Sequence, residues 1–387
     1  MLKRYLALAI FLLYLFPAAA SGGQATAGEQ QQEEALDFFS IQQYIDQLDK
    51  EVQVAVPEFD FRNMFEQLVK GEIKWQPVDI INTLLRQLFK EVVANLDLLG
   101  KLVMLAVICA VLQNMMSSFE KSSTAQLANS IAYLLLITIA IGSFSLAVNA
   151  GREVVNNMVS FMQVLTPVLL TMLVAVGGVA SATIFSPVVM VTLNIFGTLI
   201  KDIVLPLLFF VAVLGIAGNL TSHLKVSGLA DLLKSVAMGL TGVFSTVFLG
   251  VLTIQGVAGA VGDSLTFKTA KYSVDAFVPV VGGMLSDALE AVVGSSLLIK
   301  NALGIAGVAV ILSILAVPLL KIITLAFIYK LAGALIQPVN DDQMVSCLNS
   351  LSNNLFLVFA AVATTGLLFF FTITILVGIG NINVMLH

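Results

Sequence analysis

Long apolar runs, separated by short polar stretches, occupy most of the chain from about residue 98 onward. Several are long enough to supply the roughly 20 residues that a helix needs to cross a bilayer. Backbone groups inside a bilayer must be hydrogen-bonded within the protein, so such runs predict helices. The pattern predicts an all-α polytopic membrane protein, and we expect six to eight spans.

The apolar runs also repeat. Val-Leu-Pro-Leu-Leu around Pro206 recurs as Val-Pro-Leu-Leu around Pro318, and Pro167 recurs as Pro279 at the same distance along the chain. Farther along, Ser235 and Ser350 match at a slightly larger offset. A long period that is kept by prolines predicts an internally duplicated membrane protein. The predicted repeat units are residues 158–260 and 274–380, and helix pairs are predicted near 99–149, 188–260 and 303–380.

Two segments, near residues 158–183 and 274–299, combine proline with paired glycines. In duplicated transporters this combination is typical of broken or re-entrant helices that line a site. Two ordinary kinked helices are the other interpretation, and both are open at this point. The candidate helix-break residues are Pro167, Gly177, Gly178, Pro206, Pro279, Gly282, Gly283 and Pro318.

Residues 1–20 have the layout of a secretory signal peptide, with Lys3 and Arg4 before an apolar core and Ala18 and Ala20 before the predicted cleavage point. A retained anchor helix is the alternative. Cleavage would place the mature N-terminus outside the cytoplasm. Residues 21–37, rich in Gly, Ala, Gln and Glu, predict a flexible linker.

Residues 38–97 predict a small helical region that is extracytoplasmic or interfacial, and residues 98–387 predict the polytopic membrane domain. From Pro77 onward, apolar residues recur at three- and four-residue spacing, which indicates an amphipathic helix with proline in its first turn. This helix would either lie along the membrane surface or pack on the helices before it.

The side on which each loop lies depends on whether the proline-bearing segments cross the bilayer. If they do not cross, Lys225 and Lys234 lie inside and Lys268 and Lys271 outside. If they cross, the sides exchange, and the positive-inside rule separates the two cases poorly.

Charged residues are scarce, since 58% of the 387 residues are hydrophobic and 11% are charged. A charge at bilayer depth usually faces a protein or water-filled interior, which makes it a candidate for function. The adjacent Lys201 and Asp202 lie either deep in one span or at a helix break near the interface. We expect Asp287 and Glu290 to matter most, because their segment is interrupted by Pro and Gly. The candidate conduit or ion-pathway residues are Lys201, Asp202, Asp287, Glu290 and Lys321.

Motifs for enzyme chemistry are absent from the sequence. The two histidines, His223 and His387, cannot assemble a histidine metal site, and there is no phosphate-binding loop or nucleophile with an identifiable base. Cys109 and Cys347 lie in or beside apolar runs, where a free thiol packed as a small hydrophobe is expected. No basic patch suits nucleic acid. We therefore expect no catalytic residues, no cofactor, no metal and no nucleic-acid partner.

One set of distinctive stretches runs through the second half of the chain: Ile254-Gln255-Gly256, Asp263, Thr266 to Lys271, Phe277 to Gly282, Lys300-Asn301 and Gly304 to Gly307. These closely resemble the stage III sporulation protein AE family. Leu205 to Phe209, and Phe327 to Ala332 followed by Gln337-Pro338, are also similar, and the likeness covers nearly the whole chain.

This resemblance implies a multi-pass protein of the outer forespore membrane in an endospore-forming bacterium. Its partners would be other stage III sporulation membrane proteins and a cytosolic ATPase, in an assembly that connects mother cell and forespore. We therefore expect a non-enzymatic membrane subunit of a sporulation channel. A self-contained secondary transporter with an internal repeat, or a membrane scaffold that recruits partner subunits, are the alternatives.

Overall fold

The computed structural model describes residues 61–70, 77–118, 123–220, 226–277, 282–338 and 342–385, and every regular element in them is helical. One segment is π-helical, with one residue more per hydrogen-bonded turn than an α-helix. The elements in chain order are α1 (Phe61–Lys70), α2 (Pro77–Ala94), α3 (Leu96–Ser118), α4 (Ser123–Ala175), α5 (Val179–Thr198), the π segment (Leu199–Val204), α6 (Leu205–Leu220), α7 (Ser227–Phe277), α8 (Gly282–Ile336) and α9 (Asp342–Met385).

In these described residues, five helical stretches of 33 to 44 residues are long and apolar enough to cross a membrane. The predicted class, an all-helical protein with multiple membrane-compatible helices, is therefore confirmed. The number of stretches is lower than the six to eight spans that we expected. It becomes six only if the bent pair Leu85–Ala94 and Leu96–Cys109 counts as one more span. Two of the eight are lost because segments predicted as separate lie in single helices: α4 includes residues 131–148 and 158–175, and α8 includes residues 282–299 and 303–336. A third, the predicted span within α3, counts only as part of the bent pair.

Pro167 and Pro318 do not break their helices, contrary to the expectation from sequence. Each lies inside a continuous helix, α4 or α8. A proline costs one backbone hydrogen bond and crowds the preceding turn. Membrane helices tolerate it where neighbouring helices and hydroxyl side chains compensate.

The helices α4, α8 and α9 form the centre of the bundle, packed through small residues. Gly307 of α8 faces Leu165 of α4 and Ile373 of α9, and Gly366 of α9 faces Leu315 of α8. Toward the other end of the same helices, the Tyr329 hydroxyl donates to the Ala140 carbonyl oxygen over 2.9 Å. Rising residue numbers in α8 thus meet falling numbers in α4 and α9, so α8 is antiparallel to both.

The order of helices in the second part of the chain is that of two helical hairpins. Residues 179–220 and α7 form the first, and α8 and α9 form the second. Pro206 and Pro318 each lie in the first helix of a hairpin, but only Pro206 follows a π segment. Whether the two units superpose is still a prediction, and Pro279 lies outside the described residues.

The N-terminal predictions fall largely outside the described residues. These include the signal peptide of residues 1–20 and the linker of residues 21–37. The helix α2 begins at Pro77 where the sequence placed it, and both α1 and α2 contact α8. Phe89 and Val93 on α2 are exposed.

Candidate functional site

The chain breaks between α4 and α5 at Gly177 and Gly178. Gly177 has a φ of 86°, a left-handed conformation that glycine adopts without strain. The Gly178 N–H donates to the Leu173 carbonyl oxygen over 2.8 Å, and a Cβ at Gly178 would lie 2.6 Å from the Leu173 side chain. Both positions therefore need glycine, and the helix breaks where the paired glycines predicted.

The new helix, α5, begins with backbone N–H groups that have no partner within their own helix. Asp263 of α7 supplies one, although it is more than 80 residues away in sequence. Its Oδ1 accepts from the Ala180 N–H over 2.8 Å and from the Ser181 N–H over 3.1 Å. A carboxylate at a helix N-terminus is also favoured by the helix dipole. Asp263 thus caps a helix that its own flanking residue, Gly178, leaves without a side-chain cap.

Two glycines on α7 let Asp263 reach this position. Gly259 lies four residues before Asp263 and three before Gly262, so the three residues lie on one side of the helix. A Cβ at Gly259 would lie 2.5 Å from Ser181 Oγ and 2.9 Å from Ser181 Cα, and one at Gly262 would lie 3.2 Å from Ala180 Cβ. Small residues allow this close helix approach in membranes.

Lys300 of α8 is the second charged group of the site. Lys300 is 0% exposed and Asp263 is 2% exposed. The Lys300 Nζ lies 3.4 Å from the Val377 carbonyl oxygen, and the Asp263 carboxylate interacts with the Lys300 charge. Burying a charge without a partner is costly, so a buried ammonium is expected to have an opposite charge near it.

Two buried side-chain oxygens in this region have no hydrogen-bond partner. They are Ser181 Oγ, beside the capped N–H groups, and Asn301 Oδ1, on the residue after Lys300. Buried polar atoms in native proteins are nearly always paired, so each unpaired one needs an explanation. We define the capping site as Ser181, Asp263, Lys300 and Asn301.

A second polar cluster surrounds the π segment. Pro206 has no N–H for the carbonyl group of Asp202 and would crowd it in a regular helix. The wider π turns accommodate this, with the Leu205 N–H donating to the Ile200 carbonyl oxygen. Here the Asp202 Oδ1 lies 3.2 Å from the Arg152 Nη2, and the Lys201 Nζ donates to the Asn156 Oδ1 over 3.2 Å.

The predicted candidates therefore lie in different places. Lys201 and Asp202 lie neither in a regular span nor at a complete break, but in a π segment that contacts α4. Lys321 is half-buried on α8. Asp287 and Glu290 lie in the first turns of α8, and their side chains are outside the described set. Gly282 and Gly283 are the first two residues of α8. The structure does not bring the five charged candidates together.

Sequence reasoning missed Asp263 and Lys300 as site residues, although both are among the residues that carry the family resemblance. One signal was available. Lys300 is a single charge between Glu290 and Lys321, and Asp263 ends a run without charges that begins after Lys234. An isolated charge in an apolar run indicates a buried partner.

Within the described part of the chain, no group of three or more His, Cys, Asp or Glu residues could hold a metal ion. The capping site holds one carboxylate, one ammonium and two uncharged oxygens. This arrangement can bind backbone N–H groups and balance charge.

The five long apolar stretches in the described residues indicate a multi-pass membrane protein. The model of the stage III sporulation protein AE family matches residues 59–380. Stage III sporulation protein AE of Bacillus subtilis (strain 168) is 40% identical over 331 residues, which cover 86% of this chain and 83% of that protein. The chain belongs to the stage III sporulation protein AE family. No solved structure matches this chain.

Proposed function

We propose that the chain is a non-enzymatic integral membrane subunit of a channel or secretion-like assembly that links mother cell and forespore. The observation that carries the proposal is a pair of buried charges, Asp263 at the helix break and Lys300 on α8, in a member of a sporulation family. A charge inside a membrane bundle is expensive and is by default a candidate for function. The proposed partners are other stage III sporulation membrane proteins and a cytosolic ATPase, and the proposed location is the outer forespore membrane.

The distribution of charge along the helices supports a position for the bilayer. On α8, Lys300 and Lys321 lie about six helical turns apart. Ala180, which binds Asp263, and Lys201 are separated by the same number of turns along α5 and the π segment. At about 1.5 Å per residue, both separations give about 32 Å. This is close to the roughly 30 Å of a bilayer hydrocarbon core.

Three other helices carry no charge across the segment between these two levels, although α6 and residues 123–151 of α4, which lie beyond it, are also uncharged. Helix α7 has no charged residue between Lys234 and Asp263, α4 has none after Glu153, and α9 has none from residue 343 onward. Beyond the level of Lys201, charges recur at Arg152 and Lys330. We place the hydrocarbon core between the capping site and the level of Lys201, so the capping site lies at one edge of the bilayer.

In this position the capping site would hold the start of α5 in place beside the break between α4 and α5. The bonds from Asp263 hold the start of α5 against α7, and Lys300 on α8 balances the carboxylate. If the attraction between the Asp263 and Lys300 charges weakens, the start of α5 is held less firmly toward α8 and α9. Asp263 and Lys300 would then act as a gate at the mouth of a conduit, because the adjacent helix break lets α4 and α5 move separately.

The test is a double variant that removes both charges and keeps both shapes. Asp263→Asn retains an Oδ1 acceptor for the N–H groups of α5, and Lys300→Met retains a long side chain. We expect Asp263→Asn/Lys300→Met to reach the membrane at normal levels and to copurify with its partner subunits, but to lower spore formation at least tenfold. Lys330→Met, an exposed lysine farther along the same helix, is the matched control and should sporulate normally. Normal spore formation by the double variant would refute a functional role for the pair.

A secondary transporter is the second candidate, because the break at Gly177 and Gly178 resembles the interrupted helices of such proteins. Purified protein in liposomes distinguishes the two. Flux of a solute without any partner subunit would favour the transporter, whereas flux that needs the partners would favour the channel subunit.

A further inference from the structure

A stripe of polar side chains lies on the outer surface of the bundle where α4 packs against α5. Gln163 Nε2 donates to Asn194 Oδ1 over 2.6 Å, and the Asn194 amide donates to the Met190 carbonyl oxygen over 2.7 Å. We define the polar seam as these two amides and the residues beside the π segment: Arg152, Asn156, Gln163, Asn194, Lys201 and Asp202.

The seam is not buried in this chain. Gln163, Asn194 and Asn156 are exposed, and the side chains of Arg152 and Asp202 retain 45% and 43% of their accessible surface. Asn194 lies about two helical turns before Lys201, which is about 10 Å along the helix. The amide pair therefore lies among the exposed apolar residues Val191 and Ile195, not at a helix end.

Lipid is a poor neighbour for such a surface. The Gln163–Asn194 bond leaves the Gln163 oxygen and one of its two amide hydrogens available, and hydrocarbon offers them no partner. Polar side chains on a membrane helix instead favour association with another helix, by hydrogen bonds across the interface.

The chemistry of the seam points to one partner, a second copy of this chain. Copies of a membrane protein all have the same orientation in the bilayer. In a closed symmetric ring or dimer, a residue at a given depth in the bilayer therefore faces residues of the neighbouring copy at that same depth. A surface suited to its own copy must therefore be neutral at each level. At the charged level the chain has two cations, Arg152 and Lys201, and two anions, Glu153 and Asp202. At the level of Gln163 and Asn194 it has amides, which both donate and accept.

We infer that the polar seam is an interface between copies of this chain in the membrane. Arg152 and Asp202 are each about half exposed, so Arg152 of one copy can bind Asp202 of the neighbouring copy. The inference rests on the exposed seam alone and does not depend on the gating role of Asp263 and Lys300.

The test is disulfide cross-linking of the full chain in native membranes, in a background with Cys109→Ala and Cys347→Ala. Gln163→Cys and Asn194→Cys are produced singly and together from two copies of the gene. Leu312→Cys and Leu367→Cys are matched controls, since both leucines are exposed at similar depth on α8 and α9. We expect oxidation to give a covalent dimer from at least one seam combination, in at least fivefold greater yield than from either control.

A second variant tests the same surface without cysteine. Gln163→Leu/Asn194→Leu should lower the oligomeric fraction of the purified protein at least fivefold, as counted by single-molecule photobleaching. Cross-linking that is equal at the seam and at the controls, cross-linking of the seam only to a different protein, or a monomer at all concentrations would overturn the inference.

Discussion

Removing one charge of the Asp263–Lys300 pair should destabilise the protein far more than removing both. Asp263→Asn keeps the acceptor for Ala180 and Ser181 but leaves the fully buried Lys300 ammonium without its carboxylate. Breaking a buried pair in this way costs about 3–5 kcal/mol, because an uncompensated charge is left in the interior. Lys300→Met leaves Asp263 with two backbone donors and the favourable end of a helix dipole, so we expect a smaller cost of about 2–3 kcal/mol.

The double variant, Asp263→Asn/Lys300→Met, should cost about 1 kcal/mol or less, since neutral replacements of similar shape for a buried pair are often tolerated. The sum of the single costs would then exceed the double by about 4–7 kcal/mol, well above the limit of about 0.5 kcal/mol for independent sites. The measurement is unfolding of the purified protein in mixed detergent micelles, followed by circular dichroism against denaturant. Additive single costs would refute the coupling of the two charges.

Two further predictions use matched pairs of residues. Gly259→Ala should lower stability by about 1–3 kcal/mol, because the new Cβ would overlap Ser181. Gly250→Ala on the same helix has open space and should gain about 0.5–1 kcal/mol; equal effects in thermal unfolding would contradict the close approach. For the bilayer position, Leu146→Cys should react at least tenfold faster than Leu312→Cys with a water-soluble maleimide. Both leucines are exposed, but only Leu312 lies between the capping site and the level of Lys201, where we place the hydrocarbon core, so equal rates would contradict this placement.

Local sequence signals predicted the local features of this fold well. The break at Gly177 and Gly178 follows from two adjacent residues that allow a left-handed turn and a close approach. The start of α2 at Pro77 follows from the fit of proline to a first helical turn. Neither feature depends on residues far away in the chain.

The prolines at 167 and 318 show the limit of this reasoning. Each favours a break when considered alone, yet neighbouring helices hold the chain helical through both. At Pro206 the local preference and the packing are both met, by widening the helix into π turns. Sequence therefore predicted where a helix is weak, while tertiary contacts decided which weak point breaks.

The capping site could not be derived from spacing, because its groups come from three helices. Ala180 and Asp263 are 83 residues apart, and Lys300 is on a third helix. Only the isolation of each charge in an apolar run was visible, and that property does not identify a partner.

The length of α4 has a mechanical consequence. Its 53 residues form one rod of about 80 Å, more than twice the thickness of the hydrocarbon core. A rod of that length acts as a lever about the contact of Arg152 with Asp202 of the π segment, which lies about 35 Å from the C-terminal end of α4. A tilt of about 10° about this contact displaces that end, beside the Gly177 turn, by about 6 Å. Under the proposed bilayer position, the push would come from the opposite end, which projects from the membrane.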